Sequence, residues 1–344
     1  MKVWYKTYNL KFKHPFGISR GTKTHQPTLI VALEHLGYVA YGEAPAINFY
    51  NVTLEKMVEE LERKKEFVER FAFTEPERYW HYLHHLFPAN PFLVCALDIA
   101  GWDLYGKMKN QRLCELFSLT KGSPPKCDYT IGIDSIEKMI EKLNEKPWPI
   151  YKIKLGTEND VEIIKELRKH TNATIRIDAN AAWKAEEALE KIKTFKNYNI
   201  EFIEQPLAKD DWEGMKILFK ESTIPLIADE SCVFERDVER CYNHFHGINI
   251  KLTKCSGITP ALRMIKKARE LHMTVMVGSM NESTIGSAAI GHLLSFIDHV
   301  DMDGPLLLEE DVATGLTYLP DGNVVISDHP GLGITFTDLY RRND

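Results

Sequence analysis

Eight short β-branched runs recur between residues 127 and 303, separated by stretches of helical spacing. They are CDYTIGI (127–133), IYKIKL (150–155), ATIRIDA (173–179), IEFIEQ (200–205), PLIADE (225–230), GINIKL (247–252), MTVMVG (273–278) and HVDMD (299–303). Each of the first seven precedes a segment that can be helical, such as 158–170 and 256–271. Strands alternating with helices specify a parallel sheet, and eight of them specify a closed (β/α) barrel. An open doubly wound sheet is the alternative, but no GxGxxG follows any of the runs.

A second regularity is in phase with the first. Lys154, Asp178, Glu204, Asp229 and Lys251 stand at or near the C-terminal ends of successive runs, 24, 26, 25 and 22 residues apart, and Asp303 lies 52 beyond Lys251. In a parallel barrel that end carries the active site. One such charge inside an apolar strand reads equally well as a satisfied ion pair. A whole set in register with the strands reads as a site, because buried charges must be paired or bind a metal.

Asp178, Glu204 and Asp229 end the third, fourth and fifth strands, so three carboxylates converge. Like charges at that separation require a cation, and all-oxygen ligands favour Mg²⁺, with Mn²⁺ possible. Asn180 and Glu230 are placed to support those ligands. Lys152 and Lys154 are two apart on the second strand and share a face. Lys251 ends the sixth strand, four strands away in a ring of eight, so amines stand on opposite sides of the metal sector. Two opposed amines suit removal of a proton from one face of a carbon and its return on the other. The metal would stabilise the enediolate formed when a carbon α to a carboxylate loses its proton. A lysine must be neutral to act as base, and a nearby cation or second lysine lowers its pKa. Lys152 could serve Lys154 in this way, or could simply pair with a carboxylate. Lys254 is assigned to the following loop or helix, outside the chemistry. Asp301 and Asp303 in DMDGP lie across from the metal and suit a cationic group on the substrate; the alternative is a capping pair for the next loop.

The first third of the chain is different. Residues 2–13, 27–36 and 38–44 alternate like strands, and Gly37 is placed to turn the last two into a hairpin. Residues 53–70 have helical spacing behind Thr53 as N-cap, and a second helix starts from Asn90 and Pro91 and runs through residue 117. The KGSPP segment (121–125) interrupts the chain. The division expected is an α+β unit over 1–123, a barrel over 124–312 and a C-terminal segment over 313–344.

Composition narrows the function. Forty-three basic residues against 49 acidic ones give a net charge of −6, which argues against a generally basic nucleic-acid binder or a polybasic membrane patch. No apolar run reaches the length of a bilayer span, and MKVWYKTYNL is not a signal peptide. Six scattered cysteines without a CxxC pair read as free thiols in a reducing cytoplasm.

The motifs KIK (152–154), DAN (178–180), IEQP (203–206), ADES (228–231) and NIKLTKCSGI (249–258) resemble the enolase superfamily, muconate lactonizing enzyme subgroup. The helix CALDIAGWDLYGK (95–107) and the loop FGISRG (16–21) are similar to that subgroup's capping elements, and DMDGP is similar to its dipeptide epimerase branch, the L-Ala-D/L-Glu epimerases. The resemblance covers the whole chain. It implies a modified (β/α)7β barrel of TIM type with an α+β capping domain formed by the N-terminal part and the C-terminal tail. It implies Mg²⁺ on Asp178, Glu204 and Asp229, Lys154 and Lys251 as acid/base catalysts assisted by Lys152, and a dipeptide ammonium on Asp301 and Asp303. Arg20 matches a capping-loop arginine that would pair with an acidic second side chain, and Thr130 is a further substrate contact. Ser256 departs from the glycine common at that position. The implied activity is 1,1-proton transfer on a dipeptide, with L-Ala-D/L-Glu and murein peptide metabolism as the expected setting, in a homo-oligomer. The competing readings are o-succinylbenzoate synthase, N-acylamino acid racemase and cycloisomerase, against which the Asp301/Asp303 pair argues. A catalytically silent metal-binding barrel is the reading from outside enzymology. VGSMNES offers no histidine base for acid-sugar dehydration.

Overall fold

A computed structural model describes residues 1–18 and 21–337. Three antiparallel strands open the chain: β1 (Lys2–Ile18), β2 (Gly21–His35) and β3 (Tyr38–Pro45), in the order β1-β2-β3. Leu36 and Gly37 both have positive φ (50° and 83°), as a two-residue hairpin loop with mirror-image turn geometry requires. Helices α1 (Leu54–Arg70), α2 (Pro76–Leu86) and α3 (Pro91–Lys109) follow. The expected caps are present: the Thr53 side chain accepts from Lys56 N, and Asn90 Oδ1 accepts from Leu93 N. Helix α2 was not singled out from sequence, and α3 ends earlier than its apolar run suggests. Asn110 takes the left-handed conformation there, and a separate turn, α4 (Leu113–Leu116), begins beyond it.

All eight expected strands form: β4 (Tyr129–Ile131), β5 (Ile150–Lys154), β6 (Thr174–Asp178), β7 (Ile200–Glu204), β8 (Leu226–Ala228), β9 (Gly247–Ile250), β10 (Thr274–Gly278) and β11 (His299–Asp301). They are parallel, each paired with its sequence neighbours, and a Cys127–Val300 bridge joins the first to the last. Helices α5 (Ile136–Glu145), α6 (Asp160–Arg168), α7 (Ala185–Phe195), α8 (Trp212–Glu221) and α9 (Glu235–Cys241) follow the first five strands. The short α10 (Leu252–Cys255) and α11 (Ile258–Glu270) follow β9, and α12 (Thr284–Gly291) follows β10. That is seven βα units and a last strand.

Helix α3 is buried nearly all round because it lies between the N-terminal sheet and the barrel. Gly42 of β3 lets the sheet reach it, since a Cβ there would meet Ala96 O at 1.9 Å. On the other side Asp98 accepts from Thr259 N (3.0 Å) and Thr259 Oγ1 (2.7 Å), at the start of α11. Trp80 Nε1 donates to Ser256 O at 3.0 Å. Ser256 has φ 75°, which explains why glycine suits this position. The last described segment touches both units. Phe336 packs on Tyr8 and Tyr41, Leu332 N donates to Asp103 Oδ1 at 2.8 Å, and Tyr318 Oη donates to Met302 O at 2.6 Å.

Candidate active site

Strand register brings the charges together. Lys154 pairs with Asp178 across β5–β6, and Asp178 pairs with Glu204 across β6–β7. Side chains two apart on a strand share a face, so Lys152 lies inside the barrel one layer below Lys154. Asp229 follows β8 and Lys251 follows β9.

Lys154 Nζ lies 2.6 Å from Asp178 Oδ2, and Lys251 Nζ lies 2.8 Å from Asp229 Oδ2. Lys152 is fully buried and meets three carboxylates: Asp301 and Glu204 at 2.7 Å each, and Asp178 at 3.3 Å. Two further residues complete the network. Lys254 donates to Asp229 Oδ1 (2.5 Å) and to the carbonyls of Asp229, Cys232 and Asn249. Asn249 Nδ2 donates to Glu204 Oε1 at 2.7 Å. Neither was counted with the site from sequence. Lys254 does lie on the helical turn after the strand, but its ammonium points back and is 1% exposed. Asn249 was detectable, two residues before Lys251 on the same face.

These contacts set the charge states. Burial opposes ionisation of Asp178, but Lys154 and Lys152 outweigh it and hold its carboxyl down at about 2. Lys251 and Lys254 do the same for Asp229. Glu204 is pushed up to about 7 by burial and by Asp178 and Asp229. Burial would lower the Lys152 ammonium, yet Asp301, Glu204 and Asp178 raise it well above its ordinary value. Lys152 is thus a cation held between carboxylates. Lys251 is raised as well, because Asp229 and Glu204 overcome its burial.

A cavity of 290 Å³ opens above this network. Lys154, Lys251, Asp229, Glu230, Asn180, Thr130 and Asp301 line it. Asn180 has φ 46° and its N–H donates to Asp178 Oδ1 at 2.9 Å. The expected substrate pair is split. Asp301 reaches the cavity, whereas Asp303 is fully buried and its Oδ2 accepts the Thr130 N–H at 2.6 Å. Burial, Asp301 and Asp128 push the Asp303 carboxyl well up, while Lys152 and Lys154 hold Asp301 down against burial. Arg20 lies outside the described residues.

Among the described residues no three His, Cys, Asp or Glu side chains form a ready metal cage; Lys152 spans Asp178 and Glu204 instead. The donor set nonetheless fits a hard divalent cation. It is all oxygen, and two of its carboxylates are cross-strand neighbours.

Fold and site together define an acid/base enzyme on a parallel barrel, with lysines on opposed strands above a carboxylate cluster. Residues 135–339 match the family described as enolase C-terminal domain-like. An L-Ala-D/L-amino acid epimerase of Flavobacterium johnsoniae is 50% identical over 335 residues, 97% of this chain and 99% of that one. An L-Ala-D/L-Glu epimerase of Bacteroides thetaiotaomicron is 34% identical, over 97% of this chain and 88% of the relative. Among solved structures, the Cytophaga hutchinsonii dipeptide epimerase complexed with Mg and D-Ala-L-Val superposes with a TM-score of 0.93 at 29% identity, covering 98% and 96% of the two chains. The chain belongs to the enolase superfamily and, within it, to the dipeptide epimerases.

Proposed function

We propose that this protein is a Mg²⁺-dependent epimerase that inverts the α-carbon of the C-terminal residue of a dipeptide. The carrying observation is that Lys154 and Lys251 line one cavity from β5 and β9, four strands apart in an eight-stranded ring. One lysine takes the α-proton and the other returns a proton to the opposite face, through an enediolate. Asp178, Glu204 and Asp229 would hold the metal, which supplies positive charge to the substrate carboxylate when bound. Lys152 fixes Asp178, Glu204 and Asp301 in place. Asp301 receives the substrate ammonium, and Thr130 and Asp303 form its support, joined by the Thr130 N–H.

The Mg-complexed dipeptide epimerases of similar fold support this reading. We extend it to Mn²⁺ as a substitute ion, to L-Ala-D/L-Glu among the substrates, to a cytoplasmic homo-oligomer and to residues 1–123 with 313–344 as a cap over the barrel. Among the described residues no helix is long and apolar enough to cross a membrane. The test is chiral chromatography of L-Ala-L-Glu and L-Ala-L-Met incubated with enzyme and Mg²⁺. Formation of the L,D diastereomer, abolished by chelator and restored by Mg²⁺, is expected. No epimerisation of any dipeptide in the presence of Mg²⁺ contradicts the proposal.

A further inference from the structure

Among the described residues the cavity has three cationic side chains in its wall, and two are already matched: Lys154 by Asp178, Lys251 by Asp229. The third is Lys23, on β2 directly across from Phe16 of β1. Its single hydrogen bond among the described residues is to Gln26 Oε1 at 3.4 Å, and no described carboxylate lies within ion-pair distance. Lys23 is nevertheless partly buried, and burial lowers its ammonium from the ordinary value. A half-buried ammonium without a counter-ion is a destabilising feature that a bound anion relieves.

The neighbouring geometry holds the lysine in this position. Gln26 is fully buried. Its Nε2 donates to Pro27 O at 2.9 Å and Ala46 O at 3.0 Å. Both of those carbonyls are backbone, so the amide is fixed and turns its oxygen to Lys23. Gln26 is thus a positioning residue: it orients the ammonium while leaving the positive charge uncompensated.

The rest of the cavity says which part of a substrate meets Lys23. In the function proposed above, the substrate's carboxylate and ammonium are both taken by barrel residues. The second side chain is left with the wall supplied by the β1–β2 hairpin and the 47–50 turn. That wall is apolar at Phe16, Ile18, Ile47 and Phe49, and Lys23 is its cation among the described residues. We infer that Lys23, oriented by Gln26, is a specificity-determining residue that receives an anionic side chain on the second residue of the dipeptide, so that acidic dipeptides are preferred over their neutral isosteres. The inference rests on the proposed dipeptide chemistry and adds its substrate class. It also assigns to Lys23 the role that the resemblance gives to Arg20.

L-Ala-L-Glu and L-Ala-L-Gln differ by one charge at nearly constant shape. The ratio of their kcat/KM values is measured in the unaltered enzyme and in Lys23→Met, Lys23→Arg and Arg20→Met. The unaltered enzyme is expected to favour Glu by about 10- to 100-fold, the scale of one charge-assisted contact. Lys23→Met should bring the ratio near one, mainly through KM for L-Ala-L-Glu, while turnover of L-Ala-L-Gln changes less than about 3-fold. Lys23→Arg should restore the preference. A charge-blind ratio in the unaltered enzyme, or a preference that survives Lys23→Met and is lost in Arg20→Met, overturns the inference and leaves dipeptide epimerisation standing. If no dipeptide turns over, the proposed reaction fails; calorimetric binding of the same pair then decides on Lys23, with equal affinities overturning its role.

Discussion

The barrel encloses two clusters of charge, each of carboxylates around a cation and both drawing on β6, β7 and β11. The lower cluster centres on Arg176, two residues before Asp178 on β6. Arg176 lies 2.8 Å from Asp128 and 2.6 Å from Glu201, donates to Val300 O at 3.0 Å and meets His299 Nδ1 at 3.1 Å. The upper cluster centres on Lys152, Asp178, Glu204 and Asp229. Both are inside the barrel and both are densely paired. The difference lies in access and in exchangeability. The guanidinium of Arg176 is 2% exposed and spends its donors on fixed partners. Upper-cluster members Lys154, Lys251, Asp229 and Asp301 face a cavity, and their carboxylate partners are ones a divalent cation would claim. Buried charge alone therefore does not mark a catalytic site; buried charge that can change partner does.

The largest expected effect separates the two clusters. Lys154→Ala and Lys251→Ala should each lower kcat for epimerisation by about 10³-fold or more, with a urea midpoint close to that of the unaltered protein. Arg176→Leu should do the reverse. It leaves Asp128 buried without its cation, so about 3–5 kcal/mol of stability should be lost in urea titration while kcat/KM per folded molecule is retained. Collapse of activity in a folded Arg176→Leu protein would merge the clusters into one.

The lower cluster should also impose a pH dependence. Burial, aided by Arg176, lowers His299 to about 4, whereas an unfolded histidine titrates near 6.5. The native state thus holds it neutral. Stability is unaffected by this group above about 6.5 and falls as pH drops from there toward 4, by about 3 kcal/mol in all. His299→Gln should flatten that limb of a pH–stability curve; an unchanged slope would remove His299 as its source.

Asn249→Ala sharpens the upper side. Loss of the amide bond to Glu204 should weaken Mg²⁺ by about 10- to 100-fold in a titration of activity, with kcat at saturating metal largely preserved. The smallest effect is expected beneath the cavity floor. Asp303→Asn should weaken dipeptides by about 10-fold and spare N-acylated analogues, since it acts through Asp301 and Thr130. Equal losses for both would remove the ammonium-binding role.

Most of this architecture was legible because two periodicities coincide. The β-branched runs fixed eight strands, and alternation within each run fixed which side chains face inward. The same rule that found Lys154 and Asp178 also places Asn249 and Arg176 inside; they went uncounted because an amide and a charge deeper in a strand look structural. Lys254 was beyond this logic. Its burial depends on carbonyls of residues 229, 232 and 249, which meet only in the folded barrel. Asp303 is similar: β11 ends at Asp301, and the helical turn beginning at Gly304 draws the second carboxylate under the cavity floor. Alternation ceases where a strand stops, so Asp301 and Asp303 differ in access despite their spacing. The end of α3 was hidden for another reason, because its apolar run continues past Asn110 and only the left-handed residue breaks it.

The central claim is that two lysines serve opposite faces of one carbon. Proton NMR in D2O with Mg²⁺ tests it most directly, using Lys154→Ala and Lys251→Ala against L-Ala-L-Glu and L-Ala-D-Glu separately. Each variant should exchange the glutamate α-proton of one diastereomer only, the two variants should choose opposite diastereomers, and neither should interconvert them. Exchange of the same diastereomer by both variants, or epimerisation by either, contradicts the two-base account.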